Sequence, residues 1–424
     1  MGGGMGDAAR AWAARGGTIW IAAAALVAGP AAGQLPIGSP ILVNSATQAG
    51  DQQGPSVGMA DDGRIRVFWT DLTANDVAQR SFAADGTPAN ASAPNQSDFS
   101  ELDASGSVNG SGDWIVTWNT NQQQDGGRDI FARRSSNNGS TLAAEFQANA
   151  TAAVDITKTA RVSRADDDSY VVAWIDDLAL GDLKYRKFAL DGTPVTGDLF
   201  ANQATDPELA TFDIAAAPDG SFLVTWQEDT PPLEQVYARC FDANGVALGS
   251  QFVVPADLPS RNLNPHVGVD GLGNYVVAWI EGGSADLEWR RLSPACVPLG
   301  DDHLAAAGGT GGTQAMQLDV ARDGAMLFTW NSTDIDPDQG VSVLEVTKSG
   351  AVVGGEFLAH TTAPGSQGNA DAAIGDRLFV IAWQDQEGTS GGNDDIFLQR
   401  FVRRVVFTDD FESEDFAYWS AAVP

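Results

Sequence analysis

Apolar residues gather in short runs along the chain, and each run that ends in tryptophan is followed by a polar stretch. Seven such runs, closing on Trp69, Trp118, Trp174, Trp226, Trp279, Trp330 and Trp383, recur at spacings of 49 to 56 residues. A repeat of that length marks a propeller, a solenoid or an array, because one unit cannot bury its own apolar faces. Each unit reads as a short apolar segment, a tight turn, the Trp-terminated strand, a variable loop, a third strand, a second turn and a fourth strand. Asp62-Gly63, Asp219-Gly220 and Asp323-Gly324 sit in the first turns; Asp85-Gly86, Asn138-Gly139, Asp191-Gly192 and Asn244-Gly245 sit in the second. These dipeptides accept the positive φ of two-residue hairpin turns, so the elements they join are antiparallel strands.

The tryptophan strands (VVAW, LVTW, VIAW) are apolar at nearly every position, as expected of strands covered on both faces by neighbouring sheets. Third strands such as DIFARR alternate more and carry a basic residue near the end, which places them closer to an outer rim. The last unit lacks a fourth strand, while residues 40–44 (PILVN) resemble the fourth strands of other units. An N-terminal strand that completes the final sheet would close the ring and remove the open seam. The fold expected is therefore all-β: a seven-bladed β-propeller of four-stranded antiparallel blades, closed by an N-terminal strand. The chain resembles β-propeller repeat proteins of secreted bacterial type over nearly its whole length after the leader. It lacks a Trp-Asp blade ending and a kelch Gly-Gly doublet, and its Asp-Gly lies too far before the Trp for a sialidase Asp-box.

The division expected is a signal peptide over 1–33, the propeller over 34–406 and an acidic tail over 407–424. Arg10 and Arg15 precede a short run rich in alanine, and Ala31-Ala32-Gly33 offers a cleavage site, the pattern of a secretory leader; an N-terminal anchor helix is the alternative. No later segment reaches twenty continuous apolar residues, so the mature chain is not expected to insert into a membrane. The tail, from Phe407, resembles the Asp-Gly-Phe-Glu-Ser-Gly-Asp-x-x-x-Trp-Ser ending of many exported bacterial proteins, with Asp410 and Glu414 in place of the glycines.

Composition changes the picture chiefly through charge. Fifty-six acidic against 24 basic residues give a formal charge of -32, which disfavours nucleic acid and anionic membranes as partners. Forty-seven glycines and nineteen prolines suit a turn-rich all-β chain. The acids concentrate between second and third strands, on what would be one face of the ring. That face would bind hard cations, cationic ligands or a basic partner, or the charge serves solubility alone. The run Asp334-x-Asp336-x-Asp338, with Glu345 after it, offers alternate carboxylates to one Ca²⁺, an ion that takes six to eight oxygens. The glycine falls one place late for an EF-hand loop. Asp394-Asp395 with Asp385, and Asp125 with Asp129, are weaker candidates of the same kind.

Catalytic patterns are scarce. His266, His303 and His360 fall in or beside different strands, away from any nucleophile motif, and read as ordinary strand residues. There is no HExxH, no CxxC and no phosphate-binding loop; the glycine-rich residues 308–313 read as a connection between units. Cys240, in a third strand, and Cys296, in the outer turn of the next unit, form an inter-blade disulfide or remain two thiols. The reading is an exported, monomeric, non-catalytic binding or scaffold propeller with optional Ca²⁺ and no other cofactor. It would recognise a protein or polysaccharide through loops on one face. The alternative is a carbohydrate-active enzyme, hydrolase or lyase. An enzyme should bring two or three acids and an Arg or Tyr into one axial pocket; a binding module should disperse its acids over the rim.

Overall fold

The computed structural model describes residues 34–403 except 46–49, 96–100, 121–128, 137–140, 151–159, 177–181, 204–208, 230–233, 257–260, 309–314, 334, 337, 361–364 and 387–392. The expected leader and tail therefore lie outside the described residues. Strands pair into seven antiparallel blades of four strands, six running outward in chain order and the last taking its outer strand from the N-terminal segment; a two-residue strand, Thr141–Leu142, also pairs with the third strand of blade 2, and no helix occurs among the described residues. Blades 1 to 7 begin with Gln52–Met59, Glu101–Val108, Arg161–Arg164, Leu209–Ala216, Asn262–Val269, Gln317–Val320 and Gln367–Ile374. These first strands line one central cavity and so surround the axis.

The ring closes as the end strands predict. Ile41 and Leu42 pair with Leu398 and Phe397 of blade 7, and the Val43 N–H donates to the Ile396 carbonyl at 2.8 Å. Further back, the Ile37 N–H donates to the Arg400 carbonyl, also at 2.8 Å, so the closing segment runs along most of the last strand. A propeller closed this way leaves no unpaired edge at the seam, where an open sheet would template aggregation.

The seven repeat tryptophans are buried. The apolar clusters bridge blades: Trp174 and Trp226, from blades 3 and 4, each pack in a cluster containing residues of the adjoining blade. The stability of the ring therefore resides between the blades, and truncating one such Trp to Ala should cost about 3–5 kcal/mol. The basic residues of the third strands act at the same joints. Nη1 of Arg133, Arg186, Arg239 and Arg290 donates to the Pro94, Ala148, Ala201 and Val254 carbonyls of the preceding blade at 2.6 to 3.2 Å. Arg80 does the same across the seam, to the Val43 carbonyl at 2.6 Å.

Cys240 and Cys296 are joined in a disulfide with Cα atoms 6.3 Å apart. It ties the third strand of blade 4 to the outer turn of blade 5, one of the two alternatives open in the sequence.

Candidate functional site: the axial channel

Each first strand has one edge facing the axis, where its N–H groups have no strand partner. Register places one residue of every blade at the same height, opposite the residue that precedes the buried tryptophan: Ser56, Ser105, Arg161, Asp213, His266, Gln317 and Asp371. All seven are polar, although the strands that carry them are otherwise largely small or apolar. The physical reason is visible in the hydrogen bonds. Ser56 Oγ accepts the N–H of Gly106 in the next blade at 3.1 Å, and Ser105 Oγ accepts that of Val162 at 3.4 Å. Asp213 Oδ2 accepts the Val267 N–H at 3.0 Å, and Asp371 Oδ2 accepts the Val57 N–H at 2.7 Å across the seam. Two residues further along, Ser107, Ser163 and Asp319 accept the N–H groups of Arg164, Ala216 and Ile374. The inner ring thus satisfies edge amides that would otherwise be buried without partners.

Charge converges here as well. Asp213, Asp319, Asp371 and Arg161 all line a channel of about 650 Å³. His266 Nδ1 lies 3.3 Å from Asp213 Oδ2. Burial works to raise the Asp213 carboxyl, but the His266 hydrogen bond and charge, with Arg161, hold it below the ordinary carboxylate range. Asp371 goes the other way: burial, with the Asp213 charge adding to it, pushes the carboxyl up to about 6 against the pull of the Val57 and Ala372 amides and of Arg161. Asp319 is pushed up to about 7, by burial first and by the Asp371 charge after it. Both oxygens of these last two are engaged, Asp371 Oδ1 with its neighbour Ala372 N–H at 2.9 Å and Asp319 Oδ1 with Val320 N–H at 2.9 Å.

One mouth of the channel is formed by the turns between first and second strands. Arg322, from the turn of blade 6, reaches over it: Nη1 and Nη2 lie 2.8 and 2.9 Å from the two carboxylate oxygens of Asp166 in blade 3, and Nε lies 3.3 Å from Asp61 Oδ1 in blade 1.

The carboxylates singled out from the sequence are placed differently. Asp334 lies outside the described residues. Asp336 is buried, its Oδ1 accepting the Asp338 N–H at 3.1 Å and its Oδ2 making no hydrogen bond; Asp338 is exposed in the turn. Glu345 is not brought to this loop. It lies five residues beyond Gly340 along the third strand of blade 6, roughly 16 Å away at ~3.3 Å per residue. There its Oε1 accepts from Arg403 Nε at 3.1 Å and its Oε2 from Gln34 Nε2 at 2.7 Å, so it fastens the two ends of the propeller segment. No group of three or more metal-ligating side chains gathers among the described residues.

The weaker candidates do structural work. Asp129 Oδ1 accepts from Asn149 Nδ2, and Asp395 Oδ1 from Asn44 Nδ2, each at 2.8 Å, so that these asparagines lock outer strands to third strands. Asp394 Oδ2 accepts from Gln384 Nε2 at 2.6 Å. Asp125 lies outside the described residues. His303 stacks on Trp289 with ring centroids 4.4 Å apart, and His360 is an acceptor two residues past the outer strand of blade 6, so two of the three histidines stay away from the channel.

Arg161, Asp213, Asp319 and Asp371 were not singled out by sequence reasoning. A signal existed for three of them: the ring residue stands 13 positions before the repeat tryptophan in six units and 12 before it in the seventh, whereas Asp319 lies two places after the ring residue of its unit.

The class these features define is the seven-bladed β-propeller. No family model matches the chain, and no curated protein matches it. Solved structures do. A protein of unknown function from Dyadobacter fermentans matches with a TM-score of 0.51 at 11% identity, covering 86% of this chain and 98% of that one. The polysaccharide lyase Uly1 matches at 0.52 and 10% identity over 87% and 99% of the two chains, and a PL25 ulvan lyase at 0.50 and 11% over 88% and 97%. At these identities the likeness carries the fold and not the chemistry.

Proposed function

We propose that the protein is a non-catalytic binding or scaffold propeller that recognises a protein or polysaccharide through the loops between second and third strands. The observation that carries this reading is the engagement of Asp319 and Asp371. In both residues each oxygen accepts a backbone N–H of the ring, so these carboxylates already have a structural task in holding the inner strands together. The loop-side acids Asp129 and Asp395 are likewise spent on holding outer strands. Export fits the leader-like N-terminus and the Cys240–Cys296 bridge, since disulfides persist in oxidising compartments. Ca²⁺ in the loop of Asp334, Asp336 and Asp338 is supported by the buried Asp336 Oδ2, to which no described residue donates; Glu345 is engaged elsewhere, by Arg403 and Gln34.

The second reading, a carbohydrate-active enzyme, is favoured by the convergence of three aspartates and Arg161 on one channel. Two of the solved structures of this fold are described as polysaccharide lyases. One experiment separates the readings: incubation with a panel of neutral and acidic polysaccharides, scoring retention on the immobilised polymer and release of reducing ends or unsaturated products. Retention without products supports the binding module. Products that vanish in the Asp213→Asn variant would replace it with the enzyme.

A further inference from the structure

Two arginines of the channel lining, Arg161 in the wall and Arg377 in the exposed turn of blade 7, lack a side-chain hydrogen bond or ion pair among the described residues, and only Arg161 is half-buried. The third-strand arginines are all fixed on carbonyls, and Arg164, Arg291 and Arg403 are held in buried ion pairs. Arg161 stands in the channel wall and, among the described residues, makes no hydrogen bond and no ion pair. A guanidinium carries five donors, and leaving them without a protein acceptor inside a cavity is a cost unless water or a ligand meets them. Beside it at the same height are the hydroxyls of Ser56 and Ser105, the amide of Gln317 and the carboxylates of Asp213 and Asp371.

The geometry points to a binding chamber in the axial channel for a small, uncharged, polyhydroxylated molecule of monosaccharide to disaccharide size, with Arg161 as its principal donor. Size permits it, since small-molecule sites commonly occupy about 300–1,000 Å³ and this one has about 650 Å³. Charge selects the class. An anion would be desolvated beside Asp213 and Asp371, and a cation beside Arg161; either meets a like charge in a confined space. A hydroxyl group both donates and accepts, and so matches a wall that presents a guanidinium donor beside hydroxyl, amide and carboxylate groups. The Arg322 ion pairs span the turn-side mouth, and solvent-exposed pairs of this kind are worth only ~0–1 kcal/mol each, weak enough to open and close. This chamber is separate from the loop face, and its absence would leave the reading of that face unchanged.

The test uses the folded protein with glucose and arabinose as neutral probes and glucuronate and glucosamine as charged ones, by saturation-transfer NMR and calorimetry. A neutral probe is expected to bind, and Arg161→Met to weaken it by about tenfold or more. Arg161→Met also removes the positive charge that favours ionised Asp213 and Asp371, so Arg161→Lys, which keeps the charge but not the planar five-donor fork, is the variant that should lose binding at the wild-type melting midpoint, and this separates loss of binding from loss of fold. Arg322→Ala should speed exchange of the probe and leave its affinity within about twofold. The proposal is overturned if neither wild type nor Arg322→Ala binds a neutral probe at ~10 mM, if Arg161→Met binds as well as wild type, or if only a charged probe binds.

Discussion

His360 accepts the backbone N–H of Val341 through Nε2 at 3.2 Å, in the place where Asn149 accepts the N–H of Ile130 through Oδ1 at 2.9 Å. Asn44 does the same for Ile396 at 3.0 Å and Asn202 for Leu183 at 3.2 Å. One backbone donor at the start of the third strand is met in four blades by the side chain two residues past the outer strand. In blade 6 an imidazole replaces the amide. The expected outcome is that His360→Asn keeps wild-type stability, whereas His360→Ala strands a buried donor and costs about 1–3 kcal/mol. Chemical denaturation of the two variants checks it; equal losses in both would show that the imidazole contributes something other than this acceptor.

The channel carboxylates set a pH dependence. Asp319 and Asp371 titrate at about 7 and 6 in the folded chain, above the ordinary value of 3.8. The folded state therefore holds these protons more tightly than the unfolded one. Their stabilising contribution is full below pH ~4 and is lost as pH rises through 6 and 7. Melting midpoints recorded from pH 4 to pH 8 should fall over that window. Asp319→Asn should flatten the fall, while giving up one of the two backbone N–H acceptors that the carboxylate supplies. A variant as pH-sensitive as wild type would place the titration elsewhere.

The Cys240–Cys296 bridge spans 56 residues of sequence and joins two blades. Closing a loop of that length restrains the unfolded chain, and such bridges are typically worth about 2–4 kcal/mol. Reduction, or Cys296→Ser, should lower the unfolding midpoint, with Arg290 and the packing around Trp279 still holding blades 4 and 5 together in the native state. Thiol titration of unreduced protein under denaturant should find no free thiol; two would exclude the bridge.

The fold was legible because its determinants are local and repeated. The Trp-terminated strands, the Asp-Gly and Asn-Gly turns and the displaced PILVN strand each state their role within a few residues, and seven copies reinforce one another. The sites were not legible for the opposite reason. Asp213 meets Val267, Asp371 meets Val57 and Arg322 meets Asp166 only because the ring brings distant units together. Glu345 shows the same limit. Its nearness in sequence to Asp336 suggested a shared ion, but a strand carries residues apart at ~3.3 Å each, and the partner that claims it is Arg403.

Asp336 yields the prediction with the clearest sign. Its carboxylate is buried with Oδ2 unpartnered, and an uncompensated buried charge costs stability, so without metal Asp336→Asn should be neutral or stabilising. If Ca²⁺ occupies the loop, the sign reverses in its presence, because an ion bound only by the folded state raises the midpoint by mass action and the variant forfeits that gain. The expected outcome is a rise with millimolar Ca²⁺ and not with Mg²⁺ in the wild type, absent from Asp336→Asn and retained in Glu345→Gln, which should instead loosen the anchorage of Gln34 and Arg403. Thermal unfolding of metal-stripped protein with and without each ion reads all of these effects. A Ca²⁺ response retained in Asp336→Asn and lost in Glu345→Gln would move the ion to the other end of the strand.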